Sequence, residues 1–353
     1  MAETDPAVLA KFGIAVAELG CAQAIMQRLS RNVGRRDVRQ LREVSNIFER
    51  WLMALLNEAP ETPPFKLFRL TGAESACYRK LAGELVEKGV CSRPNSEVVV
   101  KWVAATIAQR LEQSLAQRLE QSLAQVAVTY GRAVEVRRAN ELIFTRELPQ
   151  NLIEMGGVAA TAAVCLRYAT MTPSVYSRAG QHWAIPRRHV LFLNREFGVA
   201  REAFASPLNS ALIGVPGAQF CSLFPDTDAA FGSCGEFFGT PMRAPVKNWI
   251  VNPPFVDALL ARAADRVIAA LDEASAAGES LLVFFVGPAW HDAEFYRRLE
   301  SCRHCAAFDP RIAIRFERDG APVPSSALSA YFALAANSVY TPAQLEAAIQ
   351  DVR

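Results

Sequence analysis

The sequence predicts a layered α/β fold preceded by a helical domain, on three observations. Apolar residues recur at helical spacing through much of the first 130 residues. After about residue 185 the texture changes to short β-like runs separated by helices. Strands alternating with helices pack as a sheet covered by those helices. At 353 residues the chain has room for two domains of roughly 100–200 residues each, so we place a helical domain at 1–150 and the sheet-bearing domain at 151–353.

Each element follows from its own pattern. Val38, Leu41, Val44, Ile47, Phe48, Trp51 and Leu55 make residues 38–56 an amphipathic helix, which Pro60, Pro63 and Pro64 end. A second helix is expected over 75–87. A third runs from Ser96 into Ala-Gln-Arg-Leu-Glu-Gln-Ser-Leu at 108–115, repeated letter for letter at 116–123. Ile107, Leu111, Leu115, Leu119 and Leu123 then recur every fourth residue, a spacing that winds around the helix rather than forming a coiled-coil seam. One duplication does not make a repeat fold, which needs three or more units. Strands are expected at 189–193, 203–206, 249–251, 281–286, 312–316 and 330–335, with a helix at 254–274 carrying Val256, Leu259, Leu260, Ala263, Val267, Ile268 and Leu271. The last two strands, separated by Asp319-Gly320 and a Pro/Ser stretch, read as an antiparallel hairpin. Thr341, Pro342 and Gln344 have the spacing of a capping box that opens a terminal helix.

Composition narrows the function. With 51% hydrophobic residues the chain can bury a sizeable core, and 38 Lys and Arg against 36 Asp and Glu exclude a binder that works by bulk charge. Any nucleic-acid site must be local. No stretch approaches ~18–20 uninterrupted apolar residues, and Met-Ala-Glu-Thr-Asp lacks the start of a signal peptide, so a soluble, intracellular protein with no membrane partner is expected. Eight cysteines spread over such a length read as reduced packing residues. Cys302-Arg303-His304-Cys305 invites a zinc reading but falls short of four ligands, so no metal is expected.

The sharpest local signal is Asn252-Pro253-Pro254-Phe255, between the strand at 249–251 and the long helix. This is the carboxyl end of a strand, where open α/β sheets bind ligands. The tetrapeptide fits the motif of methyltransferases that modify a planar, conjugated nitrogen. Such an amine is a poor nucleophile until hydrogen-bond acceptors draw its lone pair out of conjugation. The Asn252 side-chain oxygen and a backbone carbonyl fixed by Pro253 and Pro254 can accept both amine hydrogens, and Phe255 can stack on the ring. Attack on the methyl of S-adenosyl-L-methionine then needs orientation more than a strong base. Asn-Pro-Pro equally suits a helix start, with Asn as cap. A glycine-rich cofactor loop is not evident: Met155-Gly156-Gly157 precedes an alanine run, and no clear strand precedes 232–239.

A longer pattern adds to this. Phe197-Gly198-Val199, the run Glu202 to Asn209, Phe224-Pro225-Asp226-Thr227-Asp228, Phe231-Gly232-Ser233 and Asn252 to Phe255 closely resemble, in order and spacing, the catalytic core of the phosphorylated-CTD-interacting-factor family. The resemblance covers about 160–335. Those proteins are cap-specific adenosine N6-methyltransferases, so it implies a Rossmann-like class I methyltransferase domain using S-adenosyl-L-methionine on the first transcribed (2'-O-methyl)adenosine of capped mRNA, in the nucleus or alternatively the cytoplasm. It further implies that Ser206, Pro207, Leu208 and Asn209 replace the glycine-rich loop and that Phe224, Asp226, Asp228 and Gly232 line a second cofactor loop. Asp226 and Asp228 equally suit solvated turn positions. Asn252 and Phe255 match the catalytic positions. Trp290 matches a family tryptophan and can stack on a base or cap, or pack in the core.

Tryptophans at 51, 102, 183, 249 and 290 show no pair with WW spacing, so a WW module and a polymerase-tail contact are not expected. The first 130 residues match the family's helical domain only in character. There Arg28, Arg31, Arg35, Arg36, Arg39 and Arg42 are opposed by Asp37 alone. Arg35, Arg39 and Arg42 share a helical face suited to a triphosphate or RNA backbone, or to plain solvation. Arg187-Arg188 and Arg297-Arg298 are weaker candidates. Two other functions stay open: the same chemistry on internal RNA or DNA adenine or on protein glutamine, and a catalytically inactive cap or RNA scaffold.

Overall fold

The computed structural model describes residues 6–31, 38–58, 76–112, 126–138, 141–172, 183–243, 248–318, 320–324 and 326–353, and divides the chain into two compact units, 1–179 and 180–353. The first unit holds α1 (Pro6–Arg31), α2 (Val38–Glu58), α3 (Ala76–Glu87), α4 (Arg93–Glu112), β1 (Val126–Tyr130), β2 (Ala133–Arg138), β3 (Glu141–Glu147) and α5 (Gln150–Ala169). The expected stripe of α2 is buried through Leu41, Val44, Ile47, Phe48 and Trp51, and Trp51 meets the Tyr78 ring of α3 with centroids 5.7 Å apart. A buried ion pair between Glu18 and Arg167 ties α1 to α5. The second copy of the octapeptide lies outside the described residues.

Two expectations fail in this unit. An antiparallel sheet in the order β1-β2-β3 occupies the end of the segment read as helical. Its alternation, as in Val134 and Val136 buried between more exposed neighbours, is a period of two that a helical reading of the whole region overran. Further, α5 is long and apolar enough by composition to cross a membrane, contrary to the expectation that no segment is. It is interrupted at Gly157, whose φ of 81° and ψ of 167° leave the helical region, and the residues from Thr161 to Ala169 are buried within the protein.

The second unit runs α6 (Arg187–Phe197), β4 (Arg201–Ala205), β5 (Gln219–Ser222), α7 (Pro225–Asp228) with a 3-10 turn at Ala229–Phe231, β6 (Asn248–Val251), α8 (Asp257–Ala276), β7 (Leu281–Pro288), α9 (Glu294–Glu300), β8 (Cys305–Ile314), β9 (Glu317–Arg318), β10 (Ala321–Pro322), β11 (Ala327–Ala336) and α10 (Pro342–Gln350). β9 and β10 form a small hairpin. The other six strands form one mixed sheet in the order β5-β4-β6-β7-β11-β8, parallel from β5 to β7 and antiparallel at β11. β7 is buried along its length because both faces of the sheet are covered. Leu281, Val283 and Phe285 pack with Leu260, Val267 and Leu271 of α8 and Phe295 of α9. Leu282, Phe284 and Val286 pack with Val190 and Leu193 of α6 and Leu345 and Ile349 of α10.

The expected strand at 189–193 is a correction: these residues belong to α6. A short apolar run does not distinguish strand from helix, and its flanks decide here. Pro186 precedes the first turn, and Gly198 closes the helix at φ 63°, with Val199 N–H bonded to the Leu193 carbonyl. β5 (Gln-Phe-Cys-Ser) was not expected, since it lacks the apolar run Trp249-Ile250-Val251 that marks β6 at the same length. The terminal pair is antiparallel as expected, but β11 inserts between β7 and β8. The capping box at α10 has both bonds: Gln344 N–H to Thr341 Oγ1 at 3.3 Å and Thr341 N–H to Gln344 Oε1 at 2.9 Å.

Candidate active site in the crevice between β4 and β6

From β4 the chain steps to β5 on one side and returns to β6 on the other. The carboxyl ends of β4 and β6 therefore flank a topological switch point, the place where open α/β sheets hold ligands. A small recess opens there, lined among others by Glu202, Phe204, Asn209, Ile250 and Asn252.

The β4 rim is built by side chains where glycines are more usual. Asn209 Oδ1 accepts from the Ser206 backbone N–H and hydroxyl, both at 2.8 Å, and Ser206 Oγ accepts from Leu208 N–H at 3.2 Å. Ser206 and Pro207 are buried, and Leu208 and Asn209 half-buried. Behind this turn lies Glu202, which belongs to β4 although the expected strand began at 203, and to which sequence reasoning assigned no role. Its buried carboxylate accepts from the Ser210 hydroxyl and, at 2.9 Å, from Leu212 N–H. Burial pushes its pKa up, against the lowering effect of those bonds and of nearby Arg187. An acidic residue directly before the apolar run Ala203-Phe204-Ala205 was the available signal.

At the β6 rim, Asn252 Nδ2 donates to the Trp183 carbonyl at 3.1 Å. A carbonyl only accepts, so this bond fixes which end of the amide faces Trp183. The other end, Oδ1, is buried and has no hydrogen-bond partner among the described residues. The helix-cap role does not apply: α8 begins at Asp257, three residues later than expected, and its N-cap is Val256. Trp183, another contributor that sequence spacing did not reveal, reaches Asn252 from 69 residues away. Pro253 is buried, and the Pro254 carbonyl accepts from Val256 N–H at 2.7 Å.

Phe255 and Trp290 come together with ring centroids 6.4 Å apart and edge to face. Phe316 supports Phe255 from another side at 5.9 Å and contacts the Trp183 ring at 5.7 Å. Trp290 is 45% exposed, so it is not a packed core residue. Orphan acceptor and open aromatic edge are thus linked through Trp183, Phe316 and Phe255.

The 224–232 loop follows β5. Phe224 and Asp228 are buried, Asp226 is half-buried and Gly232 exposed at φ 93°. Asp228 accepts from Thr227 Oγ1 at 3.1 Å, so it is no solvated turn residue. Gly232 introduces a stretch that runs alongside β5, which supplies the strand that sequence reasoning missed before 232–239. In the first unit Arg39 and Arg42 are exposed on α2, and Arg35 lies outside the described residues. Arg28 sits over Trp102, 5.7 Å from the ring centroid. His304 bonds Asp272 at 2.9 Å, and among the described residues no group of three or more His, Cys, Asp or Glu is gathered for a metal.

Fold and site define an α/β protein with a crevice at a switch point, lined among others by Phe204 and Asn252. Comparison with known proteins is more particular. The sequence profile of the family described as "Phosphorylated CTD interacting factor 1 WW domain" matches residues 157–315. Over 122 residues the chain is 36% identical to the Mus musculus protein named mRNA (2'-O-methyladenosine-N(6)-)-methyltransferase, covering 33% of this chain and 15% of the relative. Over 87 residues it is 38% identical to the Homo sapiens protein of the same name, covering 24% and 11%. The matched stretches are thus a small part of these relatives' lengths. Together the matches support a relationship to that family. The expectation that no WW module is present is not borne out, because the matching profile bears that domain's name, and the exclusion of a polymerase-tail contact loses its ground with it. In this chain the matched residues run from within α5 to the end of β8.

Proposed function

We propose that the chain is an S-adenosyl-L-methionine-dependent N-methyltransferase of Rossmann-like class I layout, acting on N6 of the first transcribed 2'-O-methyladenosine of capped mRNA. The observation that carries this reading is the buried, unpartnered Oδ1 of Asn252 at the switch point. A buried polar atom without a partner is costly, on the order of 1–3 kcal/mol, and at the switch point a ligand's donor would relieve that cost. An exocyclic amine does so by donating one N–H. Its second N–H falls to a carbonyl ahead of Pro254, whose own carbonyl is engaged. Both bonds strengthen as the nitrogen turns tetrahedral, which is where they accelerate transfer. Phe255 and Trp290 hold the ring in place, and neutral Asn252 takes no proton, so the amine proton leaves to solvent.

In the crevice a nucleoside cofactor would meet apolar contact from Phe204 and Ile250 and a polar group from Asn209, with the turn at 206–209 along the rim, and Asp226 would come to it from the 224–232 loop. When bound, S-adenosyl-L-methionine supplies an electrophilic methyl on its sulfonium sulfur. The RNA backbone is engaged by the arginines near 28–42, Arg39 and Arg42 among them, and the nucleus is the expected compartment.

Asn252→Ala should lower methyl transfer to a capped RNA starting with adenosine by about 10²–10³-fold, while S-adenosylhomocysteine binding measured by calorimetry stays within a few-fold. Retained turnover would sink the role of Asn252. Turnover by the unsubstituted protein on uncapped oligonucleotides or protein glutamine in preference to capped RNA would replace the acceptor. No binding of S-adenosylhomocysteine at all would leave an inactive scaffold.

A further inference from the structure

On either side of the 224–232 loop lies one of a pair of thiols that the proposed methyl transfer does not use. Cys221 in β5 and Cys234 in the stretch returning from the 224–232 loop have sulfur atoms 3.6 Å apart, and both are free thiols. Their proximity is set by backbone pairing. Phe220 and Ser233 form a parallel bridge, Cys234 N–H bonds the Phe220 carbonyl at 2.9 Å, and Ser222 N–H bonds the Gly235 carbonyl at 2.9 Å. The Ser222 and Ser233 hydroxyls bond each other at 2.7 Å. In that register Cys221 and Cys234 are opposite neighbours on one face. Paired backbones lie about 4.8 Å apart, inside the span of about 4.4–6.8 Å that a disulfide bridges without moving the chain.

We propose that Cys221 and Cys234 are an oxidation site that takes a hydroperoxide and closes the 222–233 segment with a reversible disulfide. The half-buried Cys234 is the attacking thiol, and the fully buried Cys221 resolves. The Cys234 sulfur bonds one peroxide oxygen as the O–O bond breaks. The departing oxygen takes the thiol proton and leaves as water when the oxidant is hydrogen peroxide, giving a sulfenic acid. The Cys221 sulfur then bonds the Cys234 sulfur, the S–O bond breaks, and the Cys221 proton leaves with that oxygen as a second water. Sulfur loses two electrons and the peroxide gains them. The surroundings favour this order. A hydrogen bond from Cys221 and the charge of Arg201 bring the Cys234 thiol down to about 6, while Cys221 is pushed up by its contact with Cys234 and by burial. Burial pushes Cys305 up to about 11, which makes it an internal control.

The site is testable on the whole 353-residue chain, fully reduced, without reference to methyl transfer. Hydrogen peroxide should oxidise Cys234 about tenfold or more faster than Cys305 at neutral pH. After alkylation of remaining thiols, a protease cutting before Asp226 and Asp228 should release two peptides joined only by a bond that dithiothreitol breaks. In Cys221→Ala, dimedone should trap a sulfenic acid on Cys234, whereas in Cys234→Ala Cys221 should stay alkylatable. Alkylation of both cysteines in the peroxide-treated unsubstituted protein would overturn the proposal. So would equal dimedone labelling of the two variants. The peptide result needs no substitution and stands if a variant fails to fold.

Discussion

Glu202 occupies a position in β4 where an apolar residue would pack without cost, yet its carboxylate fastens the turn that rims the crevice through Ser210 and Leu212. Burial raises its pKa above the ordinary 4.5, so the folded protein holds a proton that the unfolded chain has released. Stability from this group is fully present below that ordinary value and is lost as pH rises toward the folded pKa. Glu202→Gln mimics the protonated side chain, since its amide oxygen still accepts from Leu212 N–H. The variant should therefore gain on the unsubstituted protein as pH rises from 4 toward 8, its advantage levelling off once Glu202 is ionised in the fold. Denaturant melts across that range provide the measurement, and parallel pH profiles would show that Glu202 carries no such penalty. The same reasoning separates Glu202 from Asn252: the first is satisfied and shapes the rim, and the second keeps an unpartnered oxygen, which under the proposed function meets the substrate amine.

β7 and α9 meet at Gly287, where a side-chain carbon would sit 2.6 Å from Phe295 Cε2. Its φ is not positive, so the requirement is close approach rather than backbone freedom. Gly287→Ala should cost roughly 1–3 kcal/mol by overpacking, and adding Phe295→Leu should recover part of it. Thermal melts of the single and double variants test this, and additive losses would refute the contact. No sequence pattern flagged that contact, which depends on residues from two elements. Features written in adjacent residues were readable: the Thr341 capping box, the stripe of α2, and the strand before Asn252. Features set by flanks or partners were not. The 189–193 run needed Gly198 to show it was helical, and β5 needed β4 beside it. At the site, Asn252, Phe255 and Trp290 were readable from motif and resemblance, whereas Trp183 and Phe316 reach them only through the fold.

At the scale of the whole molecule, both apolar clusters that clamp the six-stranded sheet lie within 180–353, as do all the crevice residues. A segment of that size with its own two-faced core meets the conditions for independent folding. The fragment 180–353 should unfold in one cooperative step, with circular dichroism and the fluorescence of Trp183, Trp249 and Trp290 changing together. Under the proposed function it should also bind S-adenosylhomocysteine as the full chain does. RNA is a different matter, because a chain with 38 basic and 36 acidic residues has little bulk charge to spend on phosphates. Contacts from a few arginines should then appear as a shallow salt dependence, with log affinity falling by about 0.7 per phosphate contact for each unit of log salt. Arg39→Ala with Arg42→Ala in the full chain should flatten that slope by about 1.4 while leaving S-adenosylhomocysteine binding unchanged, and the fragment should flatten it at least as far. Fluorescence titration of a capped RNA at several salt concentrations measures both. An unchanged slope in the double variant would return those two arginines to the role of a solvated helix face, and a fragment that keeps the full slope would move RNA recognition onto the sheet-bearing unit.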